Sequence, residues 1–480
     1  MKTNPTKSVP RTLFVATRPA TIATILLAAT AVFQTSALAD DVDFVGPTNW
    51  QNWSGIGKWK ISGTTDNIAT ALPTANDNVY YNWQEGDHYN YTDSSALARG
   101  PQTSTVTFKN FYVNAFGLSG NIELIGLSGT TLTITDTLRV GASDGVTART
   151  FMFRGDSSGK PSLVVSNLDI SGTANTAAVA QLGEYNSTSS RALTNVTVSG
   201  TTTIGNGRLQ LSEIDGTTSL GHLNLTHANA QLRLYAHTTI AKDVTVNVSG
   251  ISSADGKGSI VLQNATVNTV TQTGTLNINT AVGNSYNYNG LITDNSAATP
   301  GTGNVKLAIV KSGGGTQELS GANTHTGGTS VEGGTLRVSG SLATSGAVSV
   351  ASGAKFETAA ALDIGDLTLA DGAILGFDLG IAGASLAVEN LDAAGAFVID
   401  FGGTGLVGQA YANLFSVSGT GADFGSVSFV NFGSENLSGT LTAAQLGSTF
   451  SIAAVPEPAA VAAISAALSL LAAATLRHRH

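Results

Sequence analysis

The chain has 480 residues, 42% of them hydrophobic and only 11% charged, with 56 glycines and a formal net charge of −9. So much apolar residue excludes a disordered chain, and the acidic balance argues against nucleic acid or anionic lipid as a partner. No cysteine is present, which excludes disulfides, iron–sulfur clusters, thiol catalysis and a lipoprotein anchor.

Residues 1–39 read as a secretory signal peptide. Lys2, Lys7, Arg11 and Arg18 make a positive start, residues 21–33 a short apolar core, and Ala37-Leu38-Ala39 a small-x-small cleavage site before Asp40. An N-terminal membrane anchor is the competing reading, against which the shortness of the apolar run speaks. Residues 40–105 then hold all four tryptophans, Trp50, Trp53, Trp59 and Trp83, beside Tyr80, Tyr81, Tyr89 and Tyr91. Clustered aromatics either stack on sugar rings or plug the open end of a solenoid, where strand edges need cover. The plug is favoured by position, just where a first coil begins, and the sequence leaves both open.

Residues 106–311 read as irregular β coils. Short alternating pieces such as Leu132-Thr133-Ile134, Leu163-Val164-Val165 and Val196-Thr197-Val198 indicate strands. The uneven intervals from Leu168 to Val196, Leu223, Val244 and Val267 fit coils with loops let out at their corners. Asn195, Asn224 and Asn264 stand in Asn-x-Thr sequences; outward strand chemistry is the first reading and glycosylation the second. Between Tyr286 and Lys311 the alternation loosens, and residues 295–303 read as a loop.

Residues 312–391 repeat every 19 residues. Thr329-Ser330-Val331-Glu332-Gly333-Gly334 is followed by Val348-Ser349-Val350-Ala351-Ser352-Gly353 and Leu367-Thr368-Leu369-Ala370-Asp371-Gly372, and Leu386-Ala387-Val388 opens a fourth copy. Period-two alternation says strand, and a unit this small cannot bury its own apolar face. The expectation is an all-β solenoid with coils stacked about 4.8 Å apart. Val331, Val350, Leu369 and Val388 should form one inner column, with the glycines at corners. Residues 317–336 also resemble the autotransporter-associated β-strand repeat (passenger-associated transport repeat). That pattern runs Leu-Ser-Gly-Ala-Asn-Thr-Tyr-Thr-Gly-Gly-Thr and, after a short gap, Gly-Gly-Thr-Leu. His325 stands where an aromatic is usual, on an expected corner. The resemblance implies a right-handed parallel β-helix on a surface or secreted protein, and no catalysis.

In residues 392–452, Phe397-Val398-Ile399-Asp400-Phe401, Leu414-Phe415-Ser416-Val417 and Val427-Ser428-Phe429-Val430 bring phenylalanine in numbers. They read as a C-terminal β cap, with residues 438–451 leading out of it. Residues 453–480 are different. Pro456-Glu457-Pro458 precedes an uncharged apolar run, residues 459–476, and then Arg477-His478-Arg479-His480. As a helix that run is about 27 Å long, enough for a thin bilayer. Arg477 and Arg479 would hold its end on the cytoplasmic side. With the signal peptide, this order resembles the PEP-CTERM sorting signal. The resemblance implies signal peptidase and a membrane-embedded exosortase as processing partners, and transient residence in the inner membrane through the transmembrane helix. The destination implied is the cell surface or extracellular matrix of a Gram-negative-type bacterium, with extracellular polysaccharide as a neighbour. A plain tail anchor is the alternative. The β-barrel translocator of an autotransporter is not what this tail resembles.

No catalytic, cofactor-binding or metal site is expected. His222 and His227 are five apart, on opposite faces of a strand by alternation, and no His-Glu-x-x-His occurs. Asp169, Glu184 and Asp243 are scattered acids from which spacing selects no glycosidase pair. Asp363, Asp366 and Asp371 read as solvated acids beside corners before they read as a calcium site. A structural surface or matrix protein is the favoured reading. A carbohydrate-binding adhesin would need the early aromatics exposed. A secreted polysaccharide-degrading β-helix enzyme would need acids or bases meeting in a groove.

Overall fold

The computed structural model describes residues 41–44, 51–52, 59–61, 73–81, 97–99, 105–114, 122–126, 129–142, 150–155, 159–184, 191–236, 243–254, 258–264, 272–294, 305–402, 410–421, 426–432, 437–442 and 449–452. Ala37, Ala39, Trp50, Trp53, Trp83, residues 295–303 and the whole tail from 453 to 480 lie outside the described residues. The described residues form strands and no helix. They pair into sheets of 21, nine and eight strands, nearly all parallel. Such long parallel sheets are compatible with a β-solenoid.

Alternation explains both the strands and their stacking. Val196–Val198, Thr329–Val331 and Val348–Val350 each turn their first and third side chains inward. Most of the described strands then pair in parallel with a strand of the next coil, so inward residues form columns. One column runs Leu132, Leu163, Val196, Thr218, Val246, Leu276, Ile309, Thr329, Val348, Leu367 and Leu391. All of these are buried. A second runs Leu138, Leu168, Thr202, Leu223 and Ile251 on the same sheet. Leu168, Val196 and Leu223 therefore do not share a column, as their intervals had suggested. Each irregular coil lays two alternating segments on the large sheet, and alternation cannot say which segment stacks on which.

The nine-stranded sheet carries the third segment of these coils, for example Gly207–Leu211, Gln231–Ala236 and Ser259–Asn264, and ends at Leu291–Asp294. The eight-stranded sheet begins at Ser285–Tyr288. Strands Leu291–Asp294 and Val305–Ser312 lie on either side of residues 295–304, which are outside the described residues. In the 19-residue coils Val331 stacks on Val350 and Val350 on Leu369. Gly334, Gly353 and Gly372 all take positive φ at the corners. A Cβ on Gly334 would meet the Gly315 carbonyl oxygen at 2.4 Å, so both space and conformation demand glycine there.

The fourth copy breaks the register. Leu369 pairs with Ala393, while Val388 stacks between Ile364 and Val417. Extra turns between Ile374–Phe377 and Ser385–Ala393 lengthen that coil by five residues, so Leu386-Ala387-Val388 falls short of its expected partner. Beyond it, Thr449–Ile452 pairs antiparallel with Tyr411–Val417, and Leu437–Thr442 antiparallel with Ser426–Phe432. Residues 438–451 therefore carry strand and not merely a lead-out. Phe401, Phe429 and Phe432 pack together there, with ring centroids 5.2 to 6.4 Å apart.

Candidate functional site

The acids singled out by sequence are each committed elsewhere. Asp169 lies 3.6 Å from Arg139, Glu184 lies between Arg154 (3.1 Å) and Arg191 (2.6 Å), and Asp243 accepts from the Thr273 amide at 3.0 Å. Asp363 and Asp366 sit outward on the strand Ala361–Leu369, not beside a corner, and only Asp371 is in a turn. Asp366 accepts from Asn390 at 2.9 Å. Among the described residues no three histidines or acids are grouped to hold a metal. His222 stacks on Tyr286, centroids 4.4 Å apart, with its Nε2 2.9 Å from Ser252 Oγ. His227 lies past the end of that strand, where its Nδ1 accepts from the Asn229 amide, so the two histidines are not opposite faces of one strand. Of the early aromatics, Tyr81 is in the core against Phe111, and Tyr80 stacks on Tyr112 in the next coil at 4.9 Å. A small cleft of about 130 Å³ opens between coils, lined in part by Glu213, Asp215, Tyr235 and Asp243. Lys160 pairs with Asp215 at its side.

The most specialised polar chemistry lies where the nine-stranded sheet hands over to the eight-stranded one. Ile251 ends its column on the large sheet, and its next neighbour is displaced. Gln317 fills the gap with its side chain: Oε1 accepts from the Ile251 amide and Nε2 donates to the Ile251 carbonyl, both at 2.9 Å. Asn323 does the same for Ile292, accepting its amide at 3.2 Å. Asp294 accepts from the amides of Leu307 (2.5 Å) and Thr326 (2.7 Å). Lys311 occupies an inner column between Ile278 and Val331, where its Nζ donates to the carbonyls of Ser312, Gly313 and Gly333 at 2.8 to 3.0 Å. Burial pushes its ammonium down to about 8. These four side chains are at most 1% exposed. Each pairs with main-chain groups inside the stack, where a buried amide or carbonyl left unpaired is costly.

Sequence reasoning did not single these residues out, although a signal exists. Val305, Leu307 and Ile309 alternate inward, and Lys311 is the next inward position. His325, expected on a corner, is 2% exposed, its Nε2 3.0 Å from Thr329 Oγ1 and its Nδ1 without a partner.

Burial pushes the His325 imidazole from 6.5 down to about 4. The folded chain therefore binds fewer protons than the unfolded one between these values. The contribution of His325 is complete above pH 6.5 and is lost as pH falls towards 4, to a total of about 3 kcal/mol. Burial pushes Asp294 upward, which works in the opposite sense, so a direct comparison isolates the histidine. In urea melts His325→Phe should lose less stability than the parent between pH 6.5 and 4; parallel losses would contradict a buried neutral imidazole.

The chain is thus of a class defined by stacked parallel strands with a polar handover inside the stack. Residues 309–338, which hold Lys311, Gln317, Asn323 and His325, match the family model described as the passenger-associated-transport-repeat. This similarity points to an exported or cell-surface protein of the autotransporter-passenger type. No curated protein and no solved structure matches the chain.

Proposed function

We propose that this is an exported, non-enzymatic β-solenoid of the cell surface or extracellular matrix, sorted through a PEP-CTERM signal and processed by an exosortase. The observation that carries the reading is the passenger-associated repeat lying within a succession of parallel-paired strands. In this reading the solenoid is a right-handed β-helix and the antiparallel strands after residue 411 are its C-terminal cap. Signal peptidase cuts after Ala39, and the apolar segment 459–476 holds the chain in the inner membrane until it is processed. A non-enzymatic role is supported by Asp169, Glu184 and Asp243, each of which has its own partner. Among the described residues no helix is long and apolar enough to cross a membrane; the segment 459–476 lies outside them.

The test is a change at the tail in a host that carries a matching exosortase. Proline disfavours helix at and before its own position, and in this reading Pro456-Glu457-Pro458 is the segment that the protease recognises. Replacing Pro456, Glu457 and Pro458 with alanine should leave full-length protein in the membrane fraction, exported but not released. Release at the parental rate would defeat the sorting reading.

A further inference from the structure

Several arginines and lysines on the outward faces of the described strands are paired with acids. On the eight-stranded sheet Arg337 meets Glu357 and Asp378 (2.6 Å), and Lys355 meets Glu357 (2.5 Å) and Asp400 (3.0 Å). On the nine-stranded sheet Arg154 lies between Glu123 (2.5 Å) and Glu184 (3.1 Å). Farther along that same sheet the pattern stops. Arg208 in Gly207–Leu211 and Arg233 in Gln231–Ala236 stand on adjacent coils, where Arg208 pairs with Gln231 and Gln210 with Arg233. Leu209, Leu211, Leu232 and Leu234 point into the core, so both arginines face outward, and both are half-buried.

Neither guanidinium has a carboxylate partner among the described residues. Arg208 Nε is buried and makes no hydrogen bond. Arg233 reaches only the Gln231 amide oxygen, from Nε at 3.0 Å and Nη2 at 2.7 Å. Burial and then the neighbouring Arg208 push Arg233 down to about 10, and burial pushes Arg208 down as well. A guanidinium keeps its proton at any ordinary pH. The cost therefore stays in the fold as two like charges, partly desolvated, with no anion between them.

We propose that Arg208 and Arg233 form an anion subsite for the carboxylate or sulfate groups of an acidic polysaccharide laid across the coils of the nine-stranded sheet. Guanidinium forks match both anions in a two-point fashion. The same outward surface carries the side-chain amides of Gln181, Gln210 and Gln231 and the ring of Tyr235, one coil after another. Coils about 4.8 Å apart place these groups at a spacing close to one hexose in a chain. Amides and an aromatic ring suit sugar hydroxyls and ring faces. One or two charges per disaccharide ask for one arginine pair. The dense charge of nucleic acid asks for many. The choice of a glycan rests on the proposed surface location; the anion site itself does not.

The experiment uses the full-length chain and three probes: a galacturonate oligosaccharide, an uncharged glucose oligosaccharide of equal length, and inorganic sulfate at matched ionic strength. Calorimetry should show binding of the galacturonate chain alone, weakened about tenfold or more by Arg208→Gln or Arg233→Gln. Without ligand, Arg208→Gln should melt above the parent, because it removes a half-buried like charge. A merely structural arginine would give a lower melting temperature. Absence of galacturonate binding, binding unchanged in both variants, or equal binding of the uncharged chain would overturn the site. Sulfate binding as tight as the oligosaccharide would overturn the glycan assignment. None of these outcomes depends on processing of the tail, so the two readings can fail separately.

Discussion

Val350→Asp should abolish the folded, protease-resistant chain, while Ser349→Asp, one residue away, should leave it nearly intact. Val350 is 2% exposed and stacked between Val331 and Leu369, which are fully buried. An aspartate there has apolar side chains on both sides and no donor, and an unpaired buried carboxylate costs several kcal/mol. That is a large part of the roughly 5–15 kcal/mol that holds an ordinary domain together. Ser349 sits on the outward side between Ser330 and Thr368. A carboxylate there stays hydrated, and the expected change is within about 0.5 kcal/mol. Soluble yield and limited proteolysis read the difference. Because stacked coils contact mainly their neighbours, the first cuts in Val350→Asp should fall near the coils at 331 and 369. Equal tolerance at the two positions would reverse the assignment of inside and outside.

Gln317→Leu should be strongly destabilising, although it replaces a polar core residue with an apolar one. Gln317 follows Tyr286 in a column that continues inward through Leu336, Phe356, Leu375 and Ile399. By hydrophobicity alone leucine would suit it better. The amide, however, satisfies both the N–H and the C=O of Ile251, which is fully buried. Leucine leaves two main-chain groups unpaired at about 1–3 kcal/mol each. Gln317→Glu keeps one acceptor but loses the donor and buries a charge, so it should be worse still. Denaturant melts of the two variants give the order. A Gln317→Leu chain as stable as the parent would show that water or a shifted strand replaces the amide.

The regular coils were legible because equal units repeat: one interval put Val331, Val350 and Leu369 on top of each other, and the structure agrees. The break after Leu369 was not. Leu386-Ala387-Val388 and Leu391-Asp392-Ala393 both alternate, and only the extra turns before Ser385 decide which one meets Leu367-Thr368-Leu369. The irregular coils hid their columns for a related reason, since two segments per coil have the same composition. The handover was partly readable. Lys311 and Gln317 are polar residues at inward positions, and such an exception to alternation marks a place where the main chain lacks a partner. The arginine pair left no trace in spacing, because it depends on which carboxylates do not come near. The tail and most of the tryptophans lie outside the described residues, and their reading still rests on sequence.

The central claim, an exported solenoid released to the surface through its tail, is tested most directly by the intact mass of the mature surface form. The account predicts a mass that lacks residues 1–39 at one end and residues 459–480 at the other. A mass that still includes Ala459, Arg477 and His480 would show a permanent anchor and contradict it.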